Sequence, residues 1–293
     1  MRMKLHFVGV GKMGLPMARH LAAAGHSVTV SDPSLERCQL ARAQGQEVST
    51  SPAAAMAAAE VVLSSLPNDA ALLAVAAQVA AHAHVGAIYV DTSTVSLQAS
   101  AEAAQALAAK GVLYLRCTVS GNNKMAEAAQ LTVMASGPRA AYNTVLPLLR
   151  TLGPNQFYLG EAEQARLMKL VVNLMIAQTS AMLAEALTLG RKGGLAWRDM
   201  WQVLTASAVA SPIVKAKAVQ LSERDFTPTF TVEQMIKDLD LILNAGEACD
   251  VPLMQTAMTH QLMCAAVVQG NALDDYAAII KVVERGAGIP DRL

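Results

Sequence analysis

Apolar and polar positions are arranged in two distinct ways along this chain. In the first half, short apolar, β-branched runs are separated by longer alanine-rich stretches. The short runs predict strands over residues 5–8, 27–31, 61–65, 87–91, 112–116 and 131–135. The longer stretches predict helices over 13–24, 35–44, 67–80 and 96–110, with Gly25, Gly45 and Gly111 as stops. Strands alternating with helices imply a mainly parallel sheet covered on both faces. From about residue 163 no β-rich run appears, and helical periodicity is broken at Gly193-Gly194, Ser211-Pro212, Thr227-Pro228 and Val251-Pro252. Between 163 and 192 there is no proline, and the first glycine is Gly190. That stretch predicts one helix of about 28 residues, roughly 40 Å long, able to bridge two domains. The expected organisation is an α/β domain over 1–162 and an all-helical domain over 163–293, joined by the interdomain helix at about 163–192.

Composition narrows the class. Of 293 residues, 53% are hydrophobic and 16% charged, which supplies core material and excludes a disordered chain. Twenty-three basic residues balance twenty-three acidic ones, so the basic footprint of a nucleic-acid binder is missing. Cys38, Cys117, Cys249 and Cys264 form no CxxC pair, which suggests neither zinc nor a disulfide framework and favours a reducing, cytoplasmic setting. His82 and His84 lack further ligand-type neighbours and read as a solvated helix end, so no metal is expected. Lys12 and three glycines interrupt the apolar N-terminal stretch, against a signal peptide. The least charged window, 170–184, carries Asn173, Gln178, Thr179 and Ser180 and is shorter than the roughly 20 residues of a membrane span. A buried helix and no membrane partner are expected.

Gly9-Val10-Gly11-Lys12-Met13-Gly14 is a GxGxxG motif between a predicted strand and a predicted helix. Its glycines suit a tight turn, close backbone approach to a pyrophosphate, and helix-on-strand packing, with the helix N-terminus offering N–H groups to phosphate. The domain is therefore expected to be a doubly wound, Rossmann-type dinucleotide-binding unit. Asp32 ends the second predicted strand, where a carboxylate accepts from the adenosine ribose hydroxyls and repels a 2′-phosphate. Pro33 stands where an NADP site usually places Arg. NAD is thus favoured over NADP. A ligand-free glycine turn is the competing reading.

Three further features carry chemistry: Asp91-Thr92-Ser93-Thr94 after a predicted strand, Val119-Ser120-Gly121 in a loop after another, and Lys169 with Asn173 four residues on along the long helix. A lysine among Leu167, Met168, Leu170, Val171 and Val172 is costly to bury, and burial lowers its pKa toward the range useful for acid–base work. A lysine reaching to solvent from a helix edge satisfies the same spacing.

In order and over nearly the whole chain, GVGKMGLPMARHLAAAGHSVTV, Ser65-Leu66-Pro67, DTSTVS at 91–96, TVSG at 118–121, MKLVVN at 168–173 and FTVEQMIKDLDL at 230–241 resemble the β-hydroxyacid dehydrogenases, the family of 3-hydroxyisobutyrate dehydrogenase and tartronate semialdehyde reductase. The stretches 120–137, 156–173 and 237–241 look most like the glyoxylate/succinic semialdehyde reductase and γ-hydroxybutyrate dehydrogenase branch. The resemblance implies hydride transfer between a nicotinamide and a short hydroxy acid or its semialdehyde. Lys169 would exchange the proton of the substrate oxygen, and Asn173 would bond that oxygen or hold the lysine. Ser120 and Gly121 would bind the substrate carboxylate, and Asn122 would lie beside them. Ser93 and Thr94 would flank the nicotinamide, with Ser93 reaching toward substrate. Leu66 and Pro67 would join the glycine loop at the cofactor. Lys237 would close over the cofactor with Asp238 beside it, and Phe230 would shape the substrate pocket. For these last three, an exposed charged pair and plain core packing are the simpler readings. A homodimer or homotetramer is implied, built through the long helix and the helical domain.

The sequence departs from the common pattern at Asn122, at Val172, and at Arg116-Cys117-Thr118. Arg116 and Asn122 leave the distal group of the substrate open. Two other classes compete: an imine reductase, which usually carries Asp or Tyr where Lys169 stands, and a non-catalytic NAD-binding sensor or interaction module.

Overall fold

The computed structural model describes residues 2–290. The chain divides into two compact units, Met1–Lys169 and Leu170–Leu293. In the first unit β1 (Lys4–Val8), α1 (Gly14–Ala23), β2 (Ser27–Ser31), α2 (Leu35–Ala43), β3 (Glu47–Val48), α3 (Pro52–Ala58), β4 (Val61–Ser64), α4 (Asp69–His82), β5 (Ile88–Asp91), α5 (Leu97–Ala108) and β6 (Leu113–Ser120) alternate strand and helix. Then come α6 (Asn123–Glu127), β7 (Thr132–Ser136), α7 (Arg139–Leu149) and β8 (Asn155–Tyr158). The eight strands form one sheet in the order β3-β2-β1-β4-β5-β6-β7-β8. All pairings are parallel except β6 with β7. This is the doubly wound order, with its switch between β1 and β4.

Two apolar layers hold the sheet. Phe7, Val30, Leu63, Val90 and Leu115 pack with α1 and α7 residues such as Met17, Leu21 and Val145. Their alternates Val8, Val62, Tyr89 and Tyr114 pack with Leu72, Val79 and Leu107 on the other face. The period-two alternation of each strand thus feeds both layers, as a parallel sheet buried on both sides requires.

The central strands follow the sequence reading closely, but β6 does not. It was expected to end at Arg116 and instead runs to Ser120, because Cys117–Ser120 pair antiparallel with β7. Its polar Thr118 is fully buried and donates to the Ala165 carbonyl at 2.9 Å. Ser120 is therefore a strand residue rather than a loop residue. The elements β3, α3, α6, α7 and β8 were not foreseen.

After Tyr158 the chain is helical: α8 (Gln164–Lys192), α9 (Trp197–Ala206), α10 (Pro212–Ser222), α11 (Val232–Ala248), α12 (Met254–Val268), a 3-10 turn at Tyr276–Ala278, and α13 (Ile279–Gly286). The helix α8 spans 29 residues, and the division between units falls inside it. By length and composition α8 is apolar enough to cross a membrane, which the narrower 170–184 window did not reveal. The second unit is tied internally by buried charges. Glu284 accepts from Arg191 and Arg224, and Lys217 pairs with Asp275 beneath the Tyr276 ring.

Candidate functional site

In a doubly wound sheet, ligands bind beyond the carboxyl ends of the strands at the switch point. In register, Val8 lies opposite Ser31 and Ser64, and Ser64 opposite Asp91. The segments that follow these residues therefore emerge along one edge: the glycine loop, Asp32, Ser65-Leu66-Pro67 and Thr92-Ser93-Thr94. β6 overshoots that edge by four residues, on the order of 13 Å at the rise of a strand, and carries Ser120 with it.

The glycine loop fits a dinucleotide phosphate. Gly9 has φ +89°, and a Cβ there would lie 2.3 Å from the Ser65 carbonyl oxygen. A Cβ on Gly14 would lie 1.9 Å from the Gly9 carbonyl oxygen, so helix and loop close on each other. A Cβ on Gly11 would meet only the Arg37 guanidinium, Nη1 at 3.7 Å and Cζ at 3.8 Å, an ordinary van der Waals contact. The first turn of α1 holds no acid, and no side chain caps it, so its amides and positive end are left for an anion. Val10 is buried, Met13 half-buried and Lys12 exposed.

Asp32 is not as the sequence suggests. Its Oδ2 accepts from Val10 N–H and its Oδ1 from Ser34 N–H, both at 2.9 Å, and Arg37 Nη1 lies 3.6 Å from Oδ2. The carboxylate is 1% exposed and turns inward to organise the loop, whereas a ribose-facing acid was expected.

A buried polar network stands behind the Asp91 segment. Arg166, fully buried, donates from Nη2 to Asp91 Oδ2 and to Tyr114 Oη (2.8 Å), from Nη1 to the Ser93 carbonyl, and from Nε to Ser100 Oγ (3.2 Å). Asp91 Oδ1 accepts from Ser64 Oγ (2.5 Å) and Ser93 Oγ (2.6 Å), while Ser93 Oγ accepts Leu66 N–H at 2.8 Å. The Ser93 hydroxyl proton is thus committed to Asp91 rather than offered to a substrate. Burial alone would lower the Arg166 pKa, but Tyr114 and Asp91 outweigh it and the guanidinium stays charged. Burial pushes the Cys117 thiol up to about 12, so it is no nucleophile at neutral pH. Thr94 is half-buried and Pro67 exposed.

Arg166 begins the inward face of α8. Ala165, Arg166, Lys169, Leu170 and Asn173 are buried, while Leu167, Met168 and Val171 are exposed. Lys169, 9% exposed, therefore lies on the buried face, one turn beyond a pinned arginine. Sequence reasoning missed Arg166. Its partner Asp91 lies 75 residues earlier, and nothing local distinguishes it from a solvated arginine.

Ser120 is half-buried and Gly121 exposed. Gly121 has φ +136°, and a Cβ there would meet Leu131 Cδ2 at 2.7 Å, so glycine is required. Asn122, considered for substrate, caps α6 by accepting Met125 N–H at 3.0 Å. Arg116 is buried, paired with Glu163 and stacked 4.5 Å over Tyr114. In the second unit, Asn173 Nδ2 donates to Asp238 Oδ2 at 2.5 Å, and Lys237 Nζ lies 2.8 Å from Asp238 Oδ1. Asp238 is buried, and Phe230 packs edge-on to Tyr276 at 6.4 Å. His82 and His84 are exposed, and no group of three metal-ligating side chains occurs among the described residues.

Residues 4–160 match the NAD binding domain of 6-phosphogluconate dehydrogenase, and residues 164–283 the NAD-binding domain of NADP-dependent 3-hydroxyisobutyrate dehydrogenase. The chain is 33% identical over 290 residues to 2-(hydroxymethyl)glutarate dehydrogenase of Eubacterium barkeri, covering 98% of this chain and 96% of that protein. It is 29% identical over 285 residues to glyoxylate/succinic semialdehyde reductase 1 of Arabidopsis thaliana, covering 96% and 99%. The structure of Mycobacterium tuberculosis 3-hydroxyisobutyrate dehydrogenase with L-serine is similar at a TM-score of 0.87 and 28% identity, covering 97% and 99%.

Proposed function

Because this chain belongs to the β-hydroxyacid dehydrogenase family, we propose that it interconverts a short β- or γ-hydroxy acid and its semialdehyde, with Lys169 as the general acid and base. Membership makes it a nicotinamide-dependent oxidoreductase acting on hydroxy acids. Relatives named for hydroxymethylglutarate, glyoxylate, succinic semialdehyde and 3-hydroxyisobutyrate share one chemistry, a carboxylate near the carbon that is oxidised or reduced.

The observation that carries the reading is Lys169 itself, a nearly buried lysine on the inward face of α8, one turn from Arg166. In the reductive direction it gives a proton to the carbonyl oxygen as that oxygen gains charge. In the oxidative direction it takes the hydroxyl proton. A positioned acid or base of this kind contributes about 10²–10⁴-fold. The dinucleotide, when bound, supplies the two-electron redox partner, and the glycine loop with the first turn of α1 would hold its phosphates. Ser120 Oγ and the Gly121 amide are donors suited to the substrate carboxylate, whose anchoring removes orientational freedom before the reaction. The Arg166–Asp91 pair stiffens the segment bearing Ser93 and Thr94, with the Ser93 hydroxyl engaged by Asp91. Asn173, Phe230, Lys237 and Asp238 keep the roles the family resemblance gives them. With Asn122 and Arg116 both engaged internally, we do not assign them to substrate.

The proposal includes assembly of identical subunits. Met168, Val171, Met175, Met182 and Leu189 are all exposed and recur at helical spacing along α8, a stripe that a second copy would cover. All four cysteines are free, in keeping with a reducing compartment such as the cytoplasm.

Initial rates in both directions test the reading, on short hydroxy acids and their semialdehydes with NAD(H) and NADP(H). Turnover of at least one carboxylate-bearing pair is expected. Binding of a dinucleotide without turnover on any of them would contradict it and favour a sensing module.

A further inference from the structure

At the end of β2, an acid and a base have exchanged exposure. A carboxylate that binds a ribose diol needs free lone pairs facing solvent. Both Asp32 oxygens instead accept backbone N–H groups, and the side chain is 1% exposed. Covering it is Arg37, in the first turn of α2, whose side chain is 56% exposed. Its guanidinium lies 3.6 Å from Asp32 and stands over Gly11 of the glycine loop, where an added Cβ would meet Nη1 at 3.7 Å and Cζ at 3.8 Å. The group presented to an adenosine ribose is thus a cation with several unspent N–H donors, which suits phosphate oxygens better than hydroxyls. An internally satisfied Asp32, its charge offset by Arg37, also repels a 2′-phosphate far less than an open carboxylate would.

We propose that Arg37 meets the adenosine ribose of the bound dinucleotide and admits a 2′-phosphate, so that the site binds NADP(H) at least as tightly as NAD(H). This reverses the preference suggested by Asp32-Pro33 in the sequence, and it rests on the nicotinamide-dependent reading above.

Binding is measured directly, by calorimetric titration of NADP⁺ and NAD⁺ into the wild-type chain, Arg37→Gln and, as a control, Glu36→Gln, the neighbouring exposed acid. Circular dichroism checks that each variant folds. NADP⁺ should bind wild type at least as tightly as NAD⁺. Arg37→Gln should weaken NADP⁺ by about tenfold or more, the loss expected for a charge-assisted hydrogen bond, and weaken NAD⁺ far less. Glu36→Gln should weaken neither. A wild-type chain that clearly prefers NAD⁺, or an Arg37→Gln variant that weakens both dinucleotides equally, overturns the assignment while leaving the oxidoreductase reading intact. Absence of binding by either dinucleotide overturns both.

Discussion

His6 sits within β1 with both ring nitrogens engaged, Nδ1 2.9 Å from Thr29 Oγ1 and Nε2 3.0 Å from Ser31 Oγ. Burial pushes its pKa down to about 4, only partly opposed by a hydrogen bond with the Thr29 backbone. The folded chain therefore refuses a proton that the unfolded chain accepts below about 6.5. Stability is full above that pH and is lost as pH falls toward 4, by about 3 kcal/mol at 1.36 kcal/mol per unit. Denaturant titrations at a series of pH values should show this slope in the wild type and a smaller one in His6→Gln. Equal slopes would remove His6 from the account. At this scale the sequence was partly legible. Gly9 and Gly14 were marked by their motif, and the structure supplies the reason in the carbonyl oxygens their Cβ atoms would strike. Asp32 was marked too, but its orientation depends on backbone N–H groups and an arginine that no local pattern reveals.

The elements most legible in the sequence were those with one clear period. β1, β2, β4 and β5 are short apolar runs, and α8 has no proline or early glycine to interrupt it. Those missed had their signal diluted. β3 has two residues, β8 is the polar edge strand Asn155–Tyr158, and α7 carries Pro147 inside it. The first turn of α8 was legible as helix but not as an anchor. Arg166 and Asp91 form an ion pair with both side chains fully buried, and removing one partner leaves an uncompensated charge, at a cost of about 3–5 kcal/mol. Urea denaturation of Arg166→Gln should show a loss of that size. Adding Asp91→Asn should recover part of it, because the remaining buried charge is then gone. A double variant no more stable than the single would mean that the pair is not the coupled unit described.

For the molecule as a whole, strand order brings the glycine loop, Ser65-Leu66-Pro67 and the Asp91 segment to one carboxyl edge. That convergence joins motifs spread over residues 9–96 of the sequence into one site. Their order survives in the chain, while the contacts that hold them appear only in the fold. Assembly also belongs to this scale. Val171→Glu or Met175→Glu, placing charge in the exposed stripe of α8, should shift the mass measured by light scattering toward the monomer. An unchanged mass would remove this stripe from the proposed assembly.

In the proposed reaction, Lys169 moves the proton. The most direct measurement is kcat for Lys169→Ala on the substrate turned over fastest by the wild type, with dinucleotide affinity measured on the same sample. A fall in kcat of about 10²–10⁴-fold is expected, with dinucleotide binding retained. A variant that binds the dinucleotide and turns over within a few-fold of wild type would contradict it.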